Sequence, residues 1–88
     1  MIMDMQIKSI ISKHVDIALK IEDIHHDTTL DMIGVNSINF IRIVIEIEQL
    51  FGITFDVDYL GYEMFENVQR LVDYVDLLTK KGEGNDVE

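Results

Sequence analysis

GVNSINFIRIVIEIEQLFG, residues 34–52, sets two small polar residues directly before a long apolar run and closes that run with a glycine. Asparagine and serine start helices because their side-chain oxygens accept hydrogen bonds from first-turn N–H groups that have no intrahelical partner. A glycine ends a helix because it enters the left-handed conformation without a Cβ penalty. The stretch therefore predicts a helix from about Ser37 to Phe51. On its wheel Phe40, Ile43, Val44, Ile47, Leu50 and Phe51 form a broad core face, and Asn39, Arg42, Glu46 and Gln49 form a polar stripe opposite. Ile38, Ile41 and Ile45 fall on the flank between them. They give the helix more apolar surface than one face of a small bundle needs, so they read either as a wide core or as an exposed docking strip.

Upstream, Ile7, Ile10, Ile11, Val15, Ala18 and Leu19 recur at helical spacing and predict a first amphipathic helix over residues 3–20. The polar connector DIHHDTTLDMIGVN has Ile24, Leu30 and Ile33 as its apolar anchors, which predicts an ordered crossing. Downstream of Gly52, Asp, Gly and Asn interrupt short apolar pairs, so residues 58–66 support a short third helix at most. Asn67 caps a last helix in which Val68, Leu71, Val72, Val75 and Leu78 share one face, with Lys80, Lys81 and Gly82 as its stop. The expectation is an all-α, small four-helix bundle with three longer helices and one short third helix, a domain over residues 1–81 and a flexible acidic tail over 82–88.

Composition narrows the partners. The 88 residues hold one small domain, with seventeen acidic against seven basic side chains and a formal net charge of −10. A phosphate backbone repels such a surface, whereas a protein with a basic patch is steered toward it; no nucleic acid is expected. Cysteine is absent, which removes disulfides, zinc-thiolate sites and thiol nucleophiles. MIMDMQIKSII carries an acidic residue and no long apolar segment, and no run approaches the roughly 20 residues of a membrane span. A cytoplasmic monomer without membrane contact is expected.

The residues DTTLDMIGVNSINFIRIVIEIEQLFGI also resemble the signature of the acyl and peptidyl carrier proteins. In that family a connector ending in Leu-Gly-x-Asp-Ser-Leu delivers a serine to the start of the second helix, which closes on Glu-x-x-Phe-Gly-Ile or similar. Asp27, Thr28 and Leu30 match the upstream part, Ile33 and Gly34 the Leu-Gly pair, and Ser37 the serine, with Ile38 in place of leucine. Glu48, Phe51, Gly52 and Ile53 match the close, and ENVQRLVDYV is similar to the family's last helix. In two respects the chain departs from the pattern: Asn36 stands where aspartate is usual, and the third-helix segment is about two residues longer than in fatty-acid-type members.

The resemblance implies that Ser37 carries 4′-phosphopantetheine, transferred from coenzyme A by a phosphopantetheinyl transferase, with Asn36 as the flanking cap. It implies a discrete carrier that catalyses nothing and shuttles thioester-bound acyl or aminoacyl cargo from a loading enzyme to a downstream synthase or transferase. Fatty-acid carriers of the family show acidic residues along the exposed side of this helix, which Asn39, Arg42 and Gln49 dilute here. The expected pathway is therefore specialised nonribosomal-peptide or polyketide synthesis, the alternatives being a fatty-acid carrier or an unmodified adaptor with the same fold. Ile38, Ile41, Arg42, Ile45, Glu46 and Glu48 are the expected docking residues.

Other chemistries fit poorly. An EF-hand loop begun at Asp27 requires glycine at Met32 and glutamate at Ile38. His25 and His26 lack patterned co-ligands and read as solvated loop residues. A hydrolase built on Ser37 has no base at a spacing that places it.

Overall fold

The computed structural model describes residues 2–85, and among them it is all-helical, without strands. Three α-helices, α1 (Ile2–His14), α2 (Ser37–Phe51) and α3 (Val68–Asn85), are joined by connectors that contain 3-10 turns. One core links them: Ile7, Ile10 and Ile11 of α1, Phe40, Ile43, Val44 and Ile47 of α2, and Val68, Leu71, Val72 and Val75 of α3 are all buried. No described helix is long and apolar enough to cross a membrane.

α1 is shorter than its periodicity predicts. It ends at His14, because Ser12 Oγ donates to the Leu19 carbonyl at 2.5 Å and draws the following chain back over the last turn. Lys13 and His14 place basic side chains at that end, where the helix dipole favours them. Val15 is still buried and Leu19 still packs on the core, but along a bent path, and Ala18 is exposed rather than on a core face.

The first connector is ordered, as expected, with Ile24, Leu30 and Ile33 buried; Val35 is a further anchor that the sequence reading missed. Its 3-10 turns lie at Ile21–Asp23 and Asp31–Ile33. It also docks onto the last helix: the first-turn amides of Val68 and Gln69 donate to the carbonyls of Thr28 and His26, each at 2.9 Å. Asn67 caps the same turn, its Oδ1 accepting from the Arg70 amide at 3.0 Å.

The segment after α2 is not one short helix but two 3-10 turns, Val57–Tyr59 and Tyr62–Met64. Aromatic packing organises it. Phe65 lies with its ring centroid 6.0 Å from Phe40 and 5.5 Å from Tyr74, and Phe55 meets Tyr74 edge-on at 5.0 Å. The backbone amide of Asp56 donates to the Tyr74 hydroxyl at 3.0 Å. At the end of the chain the helix does not stop at Gly82 but continues to Asn85; residues 86–88 of the expected tail lie outside the described residues.

Candidate functional site

Ser37 is the first residue of α2, and the loop before it is built to hold it there. The 3-10 turn Asp31–Ile33 ends on Gly34, whose φ of 91° lies in the left-handed region that favours glycine. Val35 then buries its side chain, and Asn36 turns extended, with φ −133° and ψ −178°, as the N-cap. Asn36 Oδ1 accepts from the Ile38 and Asn39 amides, both at 3.0 Å, and its carbonyl accepts from the Phe40 amide at 2.9 Å. Three of the first four amides of the helix thus return to Asn36, leaving the Ser37 N–H, beside its own hydroxyl, as the donor that Asn36 does not engage.

Asn39 reverses the sequence expectation. It is no part of a polar stripe: only 6% of it is exposed. Its Oδ1 accepts from the Asn36 amide at 2.6 Å and its Nδ2 donates to the Gly34 carbonyl at 2.9 Å, closing a capping box across the loop. Asn39→Ala is expected to destabilise the fold by about 1 to 2 kcal/mol, the cost of a lost cap and its backbone partners, read as a shift in the denaturant midpoint at unchanged slope.

Exposure divides the rest of α2. Ile38, Ile41 and Ile45 are 71, 40 and 48% exposed, and Arg42 lies exposed among them. Of the two readings of the flank isoleucines, the structure gives the exposed strip. Leu50, expected on the core face, is 50% exposed and faces α1 beside Met5 and Ile10, on the far side of Glu46 from the isoleucine strip. The two acids of α2 are engaged internally. Glu46 meets Lys13 Nζ at 3.1 Å and His14 Nε2 at 2.7 Å, and Glu48 Oε2 accepts from the Phe55 amide at 2.8 Å.

The hydrogen bond with His14 foremost, and that with Lys13 next, hold the Glu46 carboxyl below its usual range. A carboxylate whose pKa is lowered by folding adds stability above its unfolded value of about 4.3, and that stability is lost as the pH falls through the folded value. The group is part-exposed, so the contribution is at most about 1 kcal/mol. Glu46→Gln is expected to flatten the acid limb of the stability profile below about pH 4.5 and to leave neutral-pH stability within about 1 kcal/mol.

The neighbouring chemistry is sparse. His14 is tied to Glu46, nine residues along α2 from Ser37 and so about 13 Å away in axial rise, which leaves it no role as a base for that hydroxyl. His25 and His26 are both exposed; the His26 ring faces Gln69 Oε1 and Asp4 Oδ2. Among the described residues no three His, Cys, Asp or Glu side chains gather as metal ligands.

Comparison with known families adds what geometry alone leaves open. The family described as phosphopantetheine attachment site matches residues 5–75, which include all of α2 and both connectors. The chain belongs to that family. Neither the curated proteins nor the solved structures give a match. As a phosphopantetheine carrier it bears 4′-phosphopantetheine covalently, is not itself a catalyst, and is served by phosphopantetheinyl transferases and partner synthases.

The residues present fit such a group. Attachment needs a hydroxyl open to a transferase and a place for a phosphodiester. Ser37 is exposed at a helix start whose dipole and remaining amide favour negative charge by about 0.3 to 1 kcal/mol. The other serines are placed less well: Ser9 is exposed in mid-helix, and Ser12 gives its hydroxyl to Leu19.

Proposed function

We propose that Ser37 is the attachment residue of this carrier, and that the chain moves acyl or aminoacyl cargo between enzymes of a specialised nonribosomal-peptide or polyketide pathway, as a cytoplasmic monomer. The observation that carries the assignment is the exposed Ser37 hydroxyl at the first position of α2, fixed by the Asn36–Asn39 capping box. The arm supplies a terminal thiol, which the chain lacks, for holding cargo as a thioester. The protein's own part is to hold the attachment point still, to keep the first turn of α2 open to a transferase, and to present a surface for recognition. The test is intact mass after incubation with coenzyme A and a broad-specificity transferase, which should rise by one arm per chain. A chain that never gains that mass is an unmodified adaptor.

Recognition falls to the exposed side of α2, through Ile38, Ile41, Arg42 and Ile45, with Glu46 and Glu48 at its margins. The specialised pathway is favoured because α2 has few free acids: its glutamates are held by Lys13, His14 and the Phe55 amide. A partner that grips a row of acidic side chains finds little there.

Asn36 bears on the transferase. Aspartate caps a helix as well as asparagine does, so Asn36→Asp should change stability by only about a few tenths of a kcal/mol. It adds a negative charge beside the reacting hydroxyl. Modification by a generic transferase should accelerate at low ionic strength, and high salt should erase much of the gain. An unchanged or slower rate would make Asn36 a specific contact of this carrier's own transferase.

A further inference from the structure

On a chain of net charge −10, three basic groups, Lys13, His14 and Arg42, line one open groove between the end of α1 and the exposed side of α2, together with Ile45, Glu46 and Gln49. Arg42 and Glu46 stand four residues apart on α2, the spacing at which opposite charges pair along a helix. They do not pair. Glu46 Oε2 is taken by Lys13 and Oε1 by His14, both from α1, and among the described residues Arg42 has no ion pair. α1 therefore neutralises the acid that would otherwise quench Arg42. The guanidinium is left with its fork of donors open, flanked by exposed Ile38, Ile41 and Ile45.

We propose that Arg42 reads a carboxylate set into the docking partner's surface, with aliphatic side chains around it to cover the three isoleucines; this rests on the docking role given to α2 above. The partner's wider surface is basic or neutral, because a generally acidic one is repelled by the net charge of the chain. The inset carboxylate then discriminates. A partner with lysine or an apolar residue at that point leaves the Arg42 charge opposed or stripped of water without a partner, which penalises the wrong match.

A double-mutant cycle tests this with a defined probe, a synthetic amphipathic helical peptide with an aliphatic face, a lysine rim and one central glutamate, alongside versions with glutamine or lysine at the centre. Each is titrated into the full 88-residue chain, followed by isoleucine methyl and arginine side-chain NMR signals. The glutamate peptide should bind the unaltered chain about fivefold more tightly than the glutamine peptide, the upper range for an exposed ion pair. That preference should vanish in Arg42→Gln, partly return in Arg42→Lys, and shrink in high salt. Glu46→Gln, which frees Lys13 and His14, should strengthen glutamate-peptide binding. Equal affinity of the peptides, a preference that survives Arg42→Gln, or no binding of any peptide to the strip overturns the proposal. Arm attachment to Ser37, read by mass on the same preparations, reports the carrier assignment separately.

Discussion

Ser37→Ala is expected to take up no phosphopantetheine and to unfold at the same denaturant concentration as the unaltered chain, within about 0.5 kcal/mol. The hydroxyl is exposed, and the helix start is held by the Asn36 side chain rather than by Ser37, so the substitution removes the acceptor atom without touching a cap or the core. The effect on modification is all or none, because no other described serine combines exposure with a helix start: Ser9 lies inside α1 and Ser12 is bonded to Leu19. Intact mass after transferase treatment is the readout. An alanine variant that still gains the arm would place the attachment elsewhere, and one that loses its fold would make Ser37 a structural residue.

Ile47→Ala gives the largest expected loss of stability, about 2 to 5 kcal/mol, since the side chain is fully buried between the helices and its removal leaves a cavity as well as lost contacts. Against a typical domain stability of about 5 to 15 kcal/mol that is a large share. Ile38→Ala and Ile45→Ala, two and one residues away from core positions on the same helix, should cost no more than about 0.5 kcal/mol and instead impair cargo loading or transfer. Urea titrations of the three variants separate the cases. Large, equal losses at all three would make the strip ordinary core.

The contrast within α2 also marks what could be read from sequence. Its start and stop were legible because both are local: Asn36 caps through its own side chain, and Gly52, at φ 67°, donates its amide to the Glu48 carbonyl at 2.9 Å. The core face at Phe40, Ile43, Val44 and Ile47 followed from period alone. Period could not settle the flank, because a wheel gives angles and not the width of the groove that receives them; Leu50 fell on the wrong side for that reason. Asn39 was hidden in another way. A polar residue in an apolar helix reads as surface, whereas here its amide is buried to serve Asn36 and Gly34. The end of α1 depends on a bond from Ser12 to Leu19 that no glycine or proline announces, and the 3-10 turns after Gly52 are anchored by Phe65 packing on Phe40 and Tyr74, which belong to other helices.

The free Arg42 has the same origin. The resemblance marked Arg42 and Gln49 as diluting an acidic face, but only the fold brings Lys13 and His14 against Glu46, and only that pairing leaves the arginine open.

The amides of Val68 and Gln69 donate to carbonyls of the upstream connector. The opening turn of a helix ordinarily frays and exchanges its protons with solvent quickly; here two of those protons are released only when the connector itself lifts away. The connector and the start of α3 therefore form one cooperative unit, so that the loop delivering Ser37 inherits the protection of the helix it caps. The price is kinetic. That unit closes a loop of about forty residues, so its docking is expected to follow the local formation of α2 in folding.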